Sequence, residues 1–174
     1  NIDPCGGQIV VKLPQIDFDT QKVYTLTVRV TDNGTPTLST TASVTVNVLD
    51  VNENPVVTAA TVVVAENSLP LTKVPPKVVA SDVDSNPLTF SIVDGNVGGA
   101  FGIVSDIASA DNGLLLVALK VIGYETLNKY DLVVRATDNG VPALSGDAKI
   151  TVTVQDKNDS PFISAATRSV AENS

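Results

Sequence analysis

The sequence has no histidine, tryptophan or methionine, a single cysteine, and only 4% aromatic residues among 174 positions. Each absence removes a class of chemistry. Without histidine, neither a Ser-His-Asp nor a Cys-His catalytic arrangement can be assembled, and imidazole-ligated zinc or iron sites are excluded. Cys5 cannot close an internal disulfide, which leaves pairing with residues outside this sequence, pairing between chains, or a free thiol. Basic charge is scarce: 11 Lys and Arg against 19 Asp and Glu give a formal net charge of −8. Nucleic-acid phosphates and anionic membrane surfaces would therefore meet an excess of negative charge, and neither is expected as a direct contact. The longest apolar stretches, such as Val62-Val63-Val64-Ala65, fall far short of the ~20 residues of a membrane-spanning helix. Gly95, Gly98 and Gly99 lie in an irregular connection with no helical pattern after it, so no phosphate-cradling loop is read there.

What the sequence does have is a long internal repeat. VTDNGTPTLS beginning at Val30 returns as ATDNGVPALS beginning at Ala136, an offset of about 106 residues. The same offset lays IDFDTQKVY on IGYETLNKY, DVNENP on DKNDSP, and AATVVVAENS on AATRSVAENS, with roughly 31 identities in 68 overlaid positions and no gap. A period of that size is a whole domain, so the chain reads as a tandem array of modules. Its expected divisions are the second half of one module with its linker (1–54), a complete module with its linker (55–160), and the first strand of a third (161–174). On this reading the sequence is a piece of a longer protein.

Val, Ile and Thr dominate, Gly and Pro punctuate, and stretches such as Tyr24-Thr25-Leu26-Thr27-Val28 and Ile150-Thr151-Val152-Thr153-Val154 alternate with the two-residue period of half-buried strands. With 43% apolar residues there is material for cores of aliphatic side chains. The complete module is expected to hold seven strands, near 56–65, 74–80, 88–93, 100–104, 114–119, 129–136 and 147–155, a count that fits an all-β Greek-key sandwich. If the strands alternate in direction, Glu66, Glu125, Asp156 and Asp159 fall at one pole of the module and Asp82, Asp84 and Asp138 at the other. Stacking modules end to end then gathers Asp17, Asp19, Asp50 and Glu53 with Asp82, Asp84 and Asp138. So many carboxylates in one gap repel unless cations sit among them.

The donors are hard oxygens, with no imidazole and no thiolate at hand, and carboxylates mixed with Asn side chains and flexible carbonyls suit the ~6–8 oxygen shell of Ca²⁺ better than the tighter shell of Mg²⁺. Asp and Asn are also good turn residues, which would account for Asp32-Asn33-Gly34 or Asp138-Asn139-Gly140 alone. Turn chemistry does not explain why acids at strand ends segregate to matching poles and recur one module later.

The motifs AENS, SDVDSNPLTFSI, IDFDTQKVYTLTVRVTDNG and DVNENP resemble, in order and spacing, the motif series of cadherin repeats, and the resemblance covers the whole chain. It implies tandem Greek-key seven-stranded β-sandwich modules joined by calcium-binding linkers, with up to about three Ca²⁺ ions at each complete junction. At the first junction, Asp17 and Asp19 match the family's acidic-x-acidic pair, Asp50, Asn52, Glu53 and Asn54 its linker, Asp82 and Asp84 its DxD, Asn86 a nearby carbonyl donor, and Asp138 its late aspartate. At the second, Glu66, Glu125, Asp156, Asn158 and Asp159 match, while Gly123 replaces the first acid of the pair and Ser160 the usual Asn.

The expected function is a calcium-dependent adhesive or spacer segment of an extracellular or cell-surface protein, with no enzymatic role. Its expected partners are other cadherin-like modules in cis or trans, homophilic or heterophilic. A calcium-dependent carbohydrate-binding module of a secreted protein is the alternative, but its aromatic platform is missing: Phe18, Tyr24, Tyr124 and Tyr130 recur in register, as packing residues do. Asn33-Gly34-Thr35 and Asn158-Asp159-Ser160 read as N-glycosylation acceptors in a secreted chain. A glycan on Asn158 would compete with its role as a ligand.

Overall fold

A computed structural model of the chain describes residues 7–12, 16–118, 122–170 and 172. Cys5 lies outside the described residues. The described part is β-structure punctuated by turns, with one 3-10 turn at Val97–Gly99. Among the described residues no helix is long and apolar enough to cross a membrane.

Two strands precede the acidic segment 50–54. β1 (Val23–Thr31) and β2 (Ser39–Asn47) form an antiparallel hairpin in register from Val23↔Asn47 to Thr31↔Ser39. Nine further strands follow: β3 (Val56–Val57), β4 (Ala60–Ala65), β5 (Lys73–Val74), β6 (Ala80–Ser81), β7 (Thr89–Asp94), β8 (Phe101–Ile103), β9 (Leu115–Val117), β10 (Lys129–Thr137) and β11 (Ser145–Gln155). The seven expected strand paths are all present, two of them broken. The first divides at Thr58-Ala59, where the chain leaves β6 and crosses to β11, so β3 pairs with β6 and β4 with β11. The second divides at Pro75-Pro76, since proline brings no N–H to a ladder; β5 therefore pairs with β9, and β6 separately with β3.

One sheet runs β4-β11-β10-β7 and faces a second of order β5-β9-β8. β4 and β11 are parallel, whereas β10 is antiparallel to both β11 and β7. That parallel pair brings Ala65 beside Gln155, so Glu66 and Asp156 leave the sheet together at one end, the end that strand counting assigned to both. Between the sheets lies an aliphatic core that includes Val62, Val64, Val117, Leu132, Val134, Ile150 and Val152. Phe101 meets Tyr130 edge to face at 5.0 Å, the arrangement favoured by ring quadrupoles. Alternate residues Tyr130, Leu132, Val134 and Ala136 of β10 are buried. Their counterparts one repeat earlier, Tyr24, Leu26 and Val28 of β1, are only half-buried.

The outer face of β10 and β11 is polar and cross-linked. Arg135 makes a two-pronged contact with Asp147, at 2.8 Å on each prong. Asp131 lies between Lys149 at 2.9 Å and Lys129 at 3.3 Å and accepts from the Thr151 hydroxyl at 3.0 Å. The Lys149 contact, aided by Thr151 and Lys129, holds the Asp131 carboxyl down at about 2. In the unfolded chain it returns to its ordinary value of about 3.9. The ionised form is thus favoured by folding, and its contribution is complete above about pH 4 and lost as pH falls toward about 2. Asp131→Asn is expected to lower stability near neutrality slightly and below about pH 2 not at all, which flattens that part of the acid-unfolding profile; both effects are small because the pair is exposed, and circular dichroism during acid titration reads them.

Candidate metal centres at the module junctions

The first junction is built from three segments: a turn before β1, the linker 50–54, and two loops at the near end of the complete module. In the turn, Asp17 closes on itself. Its Oδ1 accepts the N–H groups of Asp19 (2.9 Å) and Thr20 (3.2 Å), and its Oδ2 accepts the Thr20 hydroxyl (2.9 Å). The Thr20 hydroxyl and N–H hold the Asp17 carboxyl below the usual carboxylate range. This self-capping turn releases Asp19 toward the linker. Asp19, Asp50, Glu53 and Asp84 each offer an oxygen within 4.8 Å of the others. Loss of water, and then the charges of Asp84 and Asp50, push Asp19 up. Glu53 is also raised, by burial and by Asp84.

The linker is fastened to the complete module by side chains. The Glu53 N–H donates to Asp84 Oδ2 at 2.9 Å, and the Asn54 amide donates to the Ser145 carbonyl at 2.7 Å. Asn52 is held most completely: its Nδ2 donates to Asp138 Oδ2 and to the Pro142 carbonyl, both at 3.0 Å, and its Oδ1 accepts from Asn86 Nδ2 at 2.8 Å. Glycine makes this seating possible. A Cβ on Gly146 would stand 1.9 Å from the Pro55 carbonyl oxygen, and one on Gly140 would stand 1.9 Å from Asn52 Oδ1.

Asp138 is buried, yet its Oδ1 accepts the Gly140 and Leu144 N–H groups at 3.0 and 2.9 Å. Burial pushes its carboxyl up, and those N–H groups together with the Asn52 amide more than offset this, so the net shift is downward. Asp82 and Asp84 are less well served. Asp82 Oδ1 accepts the Asn86 N–H at 3.1 Å, but Asp82 Oδ2 and Asp84 Oδ1 are buried with no hydrogen-bond partner. Anionic oxygens removed from water without a donor are costly. A cation answers both deficits, and an all-oxygen donor set of this kind fits Ca²⁺.

At the far end, Glu66 is 1% exposed. Its Oε1 accepts the Lys157 N–H at 2.6 Å and its Oε2 the Tyr124 N–H at 2.9 Å, and these two bonds, Lys157 first, hold its carboxyl below the usual range. Glu66, Glu125 and Asp156 form a second group of oxygens within 4.8 Å of one another. Asp159 Oδ1 accepts from the Asn67 amide at 3.1 Å. Asn158 is exposed, as is Asn33 in its turn. Gly123 leaves open the place of a further acid: a Cβ there would meet nothing closer than Thr126 Oγ1 at 3.5 Å.

Sequence reasoning treated Asn52, Asn54 and Asn86 as metal donors only. Here their side-chain amides tie the linker down, and the close approach at Gly140 and Gly146 is the sequence signal that could have pointed to it. The capping role of Asp17, which accepts from Asp19 and Thr20, also went unread, although an Asp side chain that bonds the backbone two residues on is a common turn device.

A two-layer β module with an acidic cluster at each end, preceded by a hairpin that shares its sequence repeat, defines the class to which this chain conforms. The cadherin-domain family model matches residues 1–49 and 60–155, and the chain belongs to the cadherin family. It is 34% identical over 177 residues to Protocadherin Fat 1 of Homo sapiens, a match that takes in 98% of this chain and 4% of that protein. Among solved structures it is similar to mouse Cadherin-23 EC22-24 (TM-score 0.64, 29% identity, 90% of this chain and 49% of that one). It is also similar to the Protocadherin gammaB7 EC3-6 cis-dimer structure (TM-score 0.60, 30% identity, 83% of this chain and 36% of that one).

Proposed function

We propose that the chain is a calcium-stiffened segment of an extracellular or cell-surface adhesion protein, in which the junctions set the angle between successive modules. The hairpin β1–β2 is the second half of one module, 55–160 is a complete module, and 161–174 opens a third. The observation that carries the reading is the pair of buried, unpartnered oxygens Asp82 Oδ2 and Asp84 Oδ1, the second on a residue whose carboxylate is grouped with those of Asp19, Asp50 and Glu53. Bound calcium supplies the positive charge that these groups lack. Asp19 approaches from the hairpin side, Asp50 and Glu53 from the linker, and Asp84 from the complete module, so neutralising one cluster fixes three segments at once. Asp17, through the turn that it caps, and Asn52, Asn54, Asn86, Asp82 and Asp138 complete the first site, with up to about three ions expected. Glu66, Glu125, Asp156, Asn158 and Asp159 form the second, which is weaker for want of an acid at Gly123. The modules serve adhesion by contacts with other cadherin modules or by spanning distance, and no step of this role needs catalysis.

Titration calorimetry with Ca²⁺, with Mg²⁺ as the control, tests this. Saturable heat with Ca²⁺ and little with Mg²⁺ is expected, together with a rise in Tm of several degrees, because a ligand that binds only the folded form stabilises it by mass action. Equal and weak responses to both ions would reduce the acidic clusters to solvated turns and remove the source of stiffness.

A further inference from the structure

Asparagine followed by glycine is the dipeptide most prone to spontaneous deamidation. The glycine nitrogen attacks the asparagine Cγ, that carbon's bond to its amide nitrogen breaks, and ammonia leaves. Water then opens the cyclic imide to aspartate or isoaspartate. The reaction needs the glycine N–H freed and room for the backbone to rotate, and glycine itself offers no Cβ to resist the approach.

The chain has three such pairs, Asn33-Gly34, Asn112-Gly113 and Asn139-Gly140, in three different surroundings. Asn112 is locked: its amide donates to the Leu88 carbonyl at 2.9 Å, and the Gly113 N–H is taken by the Val104 carbonyl at 2.9 Å. The other two sit in the repeated Asp-Asn-Gly turn. In both, the glycine N–H donates to the preceding aspartate, at 3.1 Å for Gly34 and Asp32 and 3.0 Å for Gly140 and Asp138. Their asparagine side chains are both exposed.

They differ in what stands over the glycine. The space beside Gly34 holds nothing nearer than Asp32 Oδ1, at 3.5 Å from where a Cβ would be, whereas the same point beside Gly140 is 1.9 Å from Asn52 Oδ1. Asn52 is itself pinned by Asp138, the Pro142 carbonyl and Asn86. We infer that Asn139 is a deamidation site masked by the linker residue Asn52, so that it reacts only when the linker lifts from the module, while Asn33 reacts freely. Opening of the junction then becomes a covalent mark. Conversion of Asn139 places a new carboxylate next to Asp138, in a region already crowded with anionic oxygens, and the isoaspartyl product lengthens the turn that carries Asp138. A junction left open would thereby lose part of its capacity to close again.

The test is peptide mapping by mass spectrometry of the unglycosylated 174-residue chain during incubation in mildly alkaline buffer. It is run with calcium, with EDTA, and with Asn52→Ala in EDTA; the calcium arm rests on the function proposed above, whereas the Asn52 arm, compared with the unaltered chain in EDTA, does not. With calcium, Asn139 is expected to convert roughly tenfold more slowly than Asn33, since it must await local opening. In Asn52→Ala the two are expected to convert within roughly threefold of each other while Asn112 stays intact. Equal rates at Asn33 and Asn139 in the unaltered calcium-loaded chain would overturn the inference, as would an Asn139 rate indifferent to Asn52→Ala. Asn112 reports unfolding: if it reacts in the variant, the comparison of calcium with EDTA decides, where acceleration of Asn139 alone supports the mask and no acceleration overturns it. Absence of calcium heat in calorimetry alongside a fast Asn139 in Asn52→Ala would refute the proposed function and leave the mask standing.

Discussion

Asp84→Asn is expected to act in opposite directions with and without calcium. In the unaltered chain Asp84 Oδ2 accepts the Glu53 N–H at 2.9 Å, whereas Asp84 Oδ1 is buried without a donor. Asparagine keeps one oxygen for Glu53 N–H and puts an NH₂ group where the orphaned oxygen was, on a side chain grouped with the carboxylates of Asp19, Asp50 and Glu53. In EDTA the substitution therefore removes one repelling charge and adds a donor, and Tm should rise by a few degrees. With calcium it removes an anionic ligand that serves both the linker side and the module side, and affinity at the first junction should fall roughly 10- to 100-fold. The calcium-induced gain in Tm should then be largely lost at ion levels that saturate the unaltered chain. Melting curves of both proteins in both buffers read the crossing directly. A variant less stable than the unaltered chain in EDTA would show that Asp84 serves the apo fold, and the cation would no longer be needed to explain its burial.

Much of this arrangement is legible in the sequence, and the reason is physical. Strand direction follows from counting, because a sandwich strand that alternates inward and outward residues must cross the module before it turns; Glu66 and Asp156 were placed at one end on that ground, and the parallel pairing of Ala65 with Gln155 puts them there. The acidic positions could be read because like charges at matching poles have no ordinary structural cause. The breaks in two strand paths were not legible in the same way. Pro75-Pro76 is visible as a breaker, yet whether the chain resumes on the same sheet depends on which neighbour has a free edge, and that is a tertiary matter. The division of labour among the polar residues was hidden for a similar reason. Asp17 and Asp19 look alike in the motif, but Asp17 spends both oxygens on its own turn, which frees only Asp19 for the four-carboxylate group. Asn52 reads as one donor among several until Gly140 is seen to be shaped around it.

Glu66→Ala is expected to destabilise the complete module whether or not calcium is present. Glu66 belongs to the same class of junction acid as Asp84, but its oxygens are satisfied by the protein: Oε1 takes the Lys157 N–H and Oε2 the Tyr124 N–H. One carboxylate thus ties the end of β4 to the turn before β10 and to the linker after β11. Alanine removes the shared acceptor of two backbone donors, a side chain that is itself 1% exposed, and a donor left without an acceptor is costly. A fall in Tm on the order of 10 °C follows in EDTA and in calcium alike. Calcium binding at the second junction should weaken as well, because Glu125 and Asp156 lose the third member of their group. Glu66→Gln separates the two roles. Its remaining oxygen can keep one of the N–H bonds, while its NH₂ must face the other N–H, donor against donor, so the apo fold is expected to fall between the alanine variant and the unaltered chain. Unchanged melting of Glu66→Ala in EDTA would show the two N–H groups finding water instead, and would leave Glu66 a ligand and nothing more. The contrast with Asp84 comes down to which oxygens the polypeptide has already answered: where backbone donors reach the carboxylate, the acid supports the module without an ion, and where none reaches it, the acid is a liability until a cation arrives.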